Sequence, residues 1–212
     1  MQKVFIQKST HLFSGFTLVE LLVVISIISV LASVIFTSLQ GVRDKARAAK
    51  AASDGDAFKK AVEFYHDQMG FWPPDTGRGD DPGLVKTLPW RPDNPSFSLP
   101  LPACAPGPEY CPSGWNQLVQ QKWSGPYLQS WPLTPWGGLY DYNYWPQGAT
   151  RYPDLLQSGQ PCVIPPGIYI GIQGDRNNEN RISESMERYL LDQKIDSDGC
   201  LDGEAQLILM RL

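Results

Sequence analysis

Residues 16–39 read FTLVELLVVISIISVLASVIFTSL, an apolar run that holds one charge, Glu20, and neither Pro nor Gly. At 1.5 Å per residue, a helix of this length crosses a hydrocarbon core about 30 Å thick. Its β-branched residues disfavour helix in water, but in lipid the backbone must satisfy its own hydrogen bonds, and helix wins there. Residues 41–52 (GVRDKARAAKAA) are rich in helix formers. Phe58, Ala61, Val62, Tyr65 and Met69 then recur at steps of three and four, one apolar stripe, with Asp56, Lys59, Lys60, Glu63 and Asp67 largely off it. The pattern predicts one long helix from about 17 to 67, weakened at Gly41 and at Asp54-Gly55 and stopped by Gly70 and Pro73-Pro74.

After the helix the period changes. Residues 139–145, 168–172 and 205–211 alternate or run apolar as strands do, and 183–194 reads as a helix capped by Ser183 with Met186, Leu190 and Leu191 inward. Residues 88–115 carry so many prolines that regular helix and central strand are both excluded, leaving an extended loop; a short helix follows, with Ser113 as its N-cap. The predicted fold class is α+β: a long N-terminal helix packed on a small antiparallel sheet, with long Pro- and Gly-rich loops. The expected segments are 1–15, 16–40, 41–67 and a head over 68–212.

Composition narrows the function. Nineteen Pro and nineteen Gly in 212 residues exceed the usual share of about 12%. Two histidines, His11 and His66, leave little for His-based catalysis, and a formal charge of −4 with mixed signs argues against a nucleic-acid binder. The basic stretch from Arg43 to Lys50 suits lipid headgroups or solvent better than nucleic acid. G-x-S-x-G, Walker and HExxH motifs are all absent, and Glu184 and Glu187 read as an ordinary helix face, so an enzyme is not expected. Trp72, Trp90, Trp115, Trp123, Trp131, Trp136 and Trp145 all follow the long helix and are expected mostly to pack its head.

Three readings compete for the N-terminus. A secretory signal peptide fits the basic start (Lys3, Lys8), yet the apolar stretch is longer than the usual ~7–15 residues and contains a carboxylate. A plain signal anchor is the second, and the charges flanking the span do not fix its orientation. The third accounts for Glu20. Such a group costs roughly 2.5–3.5 kcal/mol at a bilayer centre and less near the interface. A cut between Gly15 and Phe16 would expose an α-amine one helical turn before Glu20, and the two charges attract strongly in apolar surroundings. A Glu lying simply at headgroup level is the plain alternative.

Ser14-Gly15-Phe16-Thr17-Leu18-Val19-Glu20-Leu21-Leu22-Val23-Val24 resembles the cleavage and methylation signature of type IV pilins and type II secretion pseudopilins. Phe64-Tyr65, Gly70-Phe71-Trp72-Pro73, Gly125-Pro126-Tyr127-Leu128, Pro135-Trp136-Gly137 and Tyr140-Asp141-Tyr142 are similar to major pseudopilins, while 88–113 and the long C-terminus depart from the compact pattern. The resemblance implies a leader ending at Gly15, a mature and N-methylated Phe16, and Glu20 as the membrane glutamate of assembly. Loss of Lys3 and Lys8 with the leader takes the formal charge from −4 to −6. It also implies a structural subunit of a filament, anchored in the inner membrane as precursor with its head outside the cytoplasm. Its partners are a prepilin peptidase, an inner-membrane assembly platform, the bilayer and further copies of itself. A minor or tip subunit with a ligand-binding head and an exported binding domain stay open, as do secretion, adhesion, motility and DNA uptake. Glu20→Ala is expected to spare insertion and cleavage but impair assembly.

Cys104, Cys111, Cys162 and Cys200 then lie on the exported side, where an even number favours two disulfides. Of three connectivities, one closes a short Pro-rich loop through Cys104 and Cys111 and leaves Cys162 with Cys200. Zinc is disfavoured by the spacing and the lack of nearby His. Two acidic loops offer alternating oxygens suited to Ca2+: Asp175, Asn177 and Glu179, and Asp196, Asp198 with Asp202. Neither is an EF-hand. The resemblance favours calcium at the first loop, and solvated turns are the alternative for both.

Overall fold

The computed structural model describes residues 16–75, 79–87, 90–91, 94–98, 115–151, 161–174 and 181–212. The chain forms two units, residues 1–43 and 44–212. Helix α1 (Leu18–Met69) runs unbroken over 52 residues, through both predicted weak points. Gly70, at φ +82°, ends it, its N–H meeting the His66 carbonyl at 2.8 Å. Residues 88–115 hold more structure than a loop: β1 (Trp90–Arg91) and β2 (Asn94–Ser98) pair in a two-stranded ribbon of their own. Helix α2 follows (Trp115–Lys122); the predicted cap Ser113 lies outside the described residues.

The second unit is built on a three-stranded antiparallel sheet in the order β3 (Tyr140–Trp145), β6 (Gly167–Ile172), β7 (Ala205–Arg211). Tyr140 faces Ile172 across one ladder, and Ile172 faces Ala205 across the other. Between β3 and β6 comes a short hairpin, β4 (Ala149–Arg151) with β5 (Cys162–Ile164). Helix α3 (Glu184–Asp192) precedes β7, and Ser183 caps it as expected by accepting the Met186 N–H. Its inward face is Met186, Glu187 and Leu190; Leu191, expected inside, is half-buried.

The predicted stripe of α1 is the spine of the core. Phe58, Ala61, Val62, Tyr65 and Met69 are all buried, and Ala48 and Ala51 extend the stripe by two turns. Phe58 meets Trp131 and Tyr140 edge-on at 4.9 and 5.0 Å between ring centres. Strand β6 is buried along its whole length. Ile168, Ile170 and Ile172 join the α1 cluster, while Tyr169 points the other way into a smaller cluster with Ile164 and Cys200. Trp131 is buried in the larger core, Trp72, Trp123 and Trp136 pack against it and Trp145 packs against the smaller one, so these five tryptophans pack the head.

Candidate functional site

Two places carry the chemistry singled out in the sequence: the start of α1 and the acidic turn before β7. Gly15 lies outside the described residues, and Phe16 is the first described residue, largely exposed. Thr17 and Glu20 form a reciprocal cap. The Thr17 N–H and hydroxyl both donate to Glu20 Oε2 at 2.8 Å, and the Glu20 N–H donates back to Thr17 Oγ1 at 3.2 Å. This is the T-x-x-E capping box, in which two orphan donors of the first turn are satisfied and the carboxylate sits at the positive end of the helix dipole. Glu20 therefore has a role inside its own chain, and the cap holds its carboxylate against Thr17.

From Leu18 to Leu31 the large apolar side chains are exposed all round, Leu21, Val23, Ile25, Ile28 and Leu31 among them. Ser26 and Ser29 donate back to the carbonyls of Leu22 and Ile25 at 2.8 and 2.7 Å, so these hydroxyls need no water. Among the described residues this is the one helix long and apolar enough to cross a membrane.

The acidic turn is built around Arg151, at the end of β4. Its Nε lies 2.8 Å from Asp202 Oδ2 and its Nη2 3.0 Å from Glu204 Oε2, with Nη1 4.0 Å from Asp198 Oδ2. Across the hairpin Arg151 pairs in register with Cys162, and Cys162 is disulfide-bonded to Cys200, their Cα atoms 5.8 Å apart. One of the expected pairings is thus present; Cys104 and Cys111 lie outside the described residues. Asp196 accepts from the Gln206 N–H at 3.0 Å and Asp198 from the Cys200 N–H at 2.7 Å. Glu187, read from the sequence as surface, is buried and accepts the N–H groups of Asp202 and Gly203. Burial pushes its carboxyl up to about 7 against those two N–H bonds. Burial raises both the Asp196 and the Asp198 carboxyl above the usual range; the Asp202 charge adds to the rise at Asp196, and the Asp196 and Asp202 charges add to that at Asp198. Burial opposes the Arg151 charge, but Glu204, Asp202 and Asp198 outweigh it and hold the guanidinium above its ordinary pKa.

This geometry does not fit calcium at Asp196 and Asp198. Ca2+ takes six to eight oxygens at 2.3–2.6 Å. Here a guanidinium stands among the carboxylates, and the described residues contain no group of three or more His, Cys, Asp or Glu arranged to hold a metal. Asp175, Asn177 and Glu179 of the other loop lie outside the described residues. The neck of that loop is tight: a Cβ on Gly174 would stand 1.9 Å from the Arg181 carbonyl oxygen, and one on Gly138 2.0 Å from that of Gly174. Arg151 escaped the sequence reading because a three-residue strand carries no period long enough to reveal β4.

Residues 11–36 match the family described as the prokaryotic N-terminal methylation motif. The type II secretion system core protein G of Klebsiella michiganensis is 30% identical over 149 residues, covering 70% of this chain and 84% of that protein. The chain belongs to the type II secretion system core protein G family. The core protein G of Aeromonas hydrophila is 34% identical over 116 residues, 54% of this chain and 70% of its own length. That of Escherichia coli is 49% identical over 51 residues, 24% of this chain and 35% of the relative. No solved structure matches. Membership in the core protein G family agrees with the pilin and pseudopilin resemblance of the N-terminal signature, and with the long helix on an antiparallel sheet.

Proposed function

We infer that this chain is a structural subunit of a type II secretion pseudopilus, inserted in the inner membrane as a precursor and polymerised through the first half of α1. The observation that carries this reading is the helix beginning at Thr17–Glu20. A methylation-motif match spans it, and the apolar side chains beyond it have no cover of their own. In this reading a prepilin peptidase cuts between Gly15 and Phe16 and methylates the new amine. The head stands outside the cytoplasm, a side on which the Cys162–Cys200 disulfide persists. When protomers dock, the amine of one chain neutralises Glu20 of another, and the exposed apolar helices bury against each other. Burial of that surface, at roughly 25 cal/mol per Å2, is the driving term.

The capping box makes the role of Glu20 testable. Glutamine serves the box as glutamate does but carries no charge. Glu20→Gln is expected to leave helix, insertion and cleavage intact while pseudopilus yield falls at least about tenfold, the equivalent of about 1.4 kcal/mol. Sheared-fibre immunoblots beside a processing assay read both. Normal fibre yield from Glu20→Gln would show that Glu20 serves as a cap alone.

A further inference from the structure

We propose that the Arg151 guanidinium is the resident cation of the acidic turn 196–204, ordering it by charge in the place where a loop of this composition would otherwise recruit a divalent metal. Three features put the guanidinium there. Its cross-strand neighbour Cys162 is bonded to Cys200, which lies midway between Asp198 and Asp202 and fastens the turn over the hairpin. The three carboxylate side chains around it are 0%, 7% and 6% exposed for Asp198, Asp202 and Glu204, so water contributes little to their solvation. Gly171 of β6 leaves the room: a Cβ there would stand 2.1 Å from Glu204 Oε1.

The charge balance points the same way. Buried carboxylates must be paired, protonated or metal-bound. Arg151 pairs two of them at hydrogen-bond distance and faces a third at 4.0 Å. Arg151 is therefore the cation that balances Asp202 and Glu204, while burial favours the proton on Asp196 and Asp198. Without Arg151, the acids would be left uncompensated, a strongly destabilising state, and a free cation would have reason to enter.

Amide hydrogen exchange on the full-length chain in detergent tests this at Cys200, Glu204 and Gln206, whose N–H groups meet Asp198, Asp202 and Asp196. In the wild-type chain, protection of these amides is expected to be equal in EDTA and in millimolar calcium. In R151M, protection is expected to fall roughly a hundredfold or more in EDTA and to return in part with calcium; R151K should hold it nearly as the wild type does. Amides of the β3–β6 ladder serve as the fold control. The proposal is overturned if EDTA exposes the wild-type turn, if R151M stays protected in EDTA, or if neither calcium nor R151K restores what R151M loses. Should R151M unfold throughout, R151K against R151Q decides: protection in the first alone supports the charge role, and equal loss in both overturns it.

Discussion

Asp54 sits in the middle of a helix, a poor place for an acid, and is buried where α1 meets the sheet. Its carboxylate takes an ion pair from Lys50 one turn earlier and a hydrogen bond from the Tyr140 hydroxyl at 2.9 Å. Burial and the Asp54 charge hold the Tyr140 proton far more tightly than usual, so the hydroxyl stays a donor at any working pH. Tyr140→Phe keeps the ring against Phe58 and removes that bond; it is expected to cost about 1–3 kcal/mol, read as a fall in the denaturation midpoint. Asp75 has weaker support, one N–H from Tyr144 at 3.4 Å, and burial pushes its carboxyl up to about 6. Unfolded, it titrates near 3.9. The folded state therefore holds the extra proton between these values. The resulting stability is complete below about pH 4, falls as pH rises towards 6, and is constant above. Two units set an upper bound of about 3 kcal/mol, less after solvent screening. Asp75→Asn should flatten this part of the profile between pH 4 and 7; an unchanged slope would assign it to other groups.

At the scale of elements, the lower half of α1 depends on one ring more than on any other side chain. Phe58 is fully buried and touches both Trp131 and Tyr140. Phe58→Ala is expected to destabilise the head by about 3–5 kcal/mol, measured by urea denaturation in detergent. This stripe was legible in the sequence because a period of 3.6 sustained over several turns has few rivals, and β3, β6 and β7 were legible because each runs for six or seven residues. Gly55 was misread. Its missing side chain, counted as a flaw in the helix, is a docking point: a Cβ there would stand 2.7 Å from Leu207 of β7. Glu187 was misread for a related reason. Glu184 pairs with Arg188 at 2.6 Å on the exposed face, whereas Glu187 is rotated inward to meet the backbone of a turn fifteen residues away in sequence. Such partners are set by tertiary structure, and composition carries no trace of them. The N-terminal signature, by contrast, was legible because it is a linear motif, and the match to the prokaryotic N-terminal methylation motif covers it.

For the whole molecule, the distribution of apolar surface is the decisive property. The second unit gathers its buried apolar side chains in two clusters of its own, leaving only scattered ones such as Phe64 and Val163 exposed among the described residues. The helix from Leu18 to Leu31 buries none of its large ones. Stretches of this size are not left in water; in the function proposed above, lipid covers them in the precursor and neighbouring protomers in the fibre. In that proposed function, processing at one peptide bond links the membrane form to the filament form. Intact-mass and N-terminal peptide mass spectrometry of chains recovered from sheared fibres tests that link most directly. The account expects a polypeptide that begins with N-methylated Phe16; fibres built from chains beginning at Met1, or at any residue other than Phe16, would contradict it.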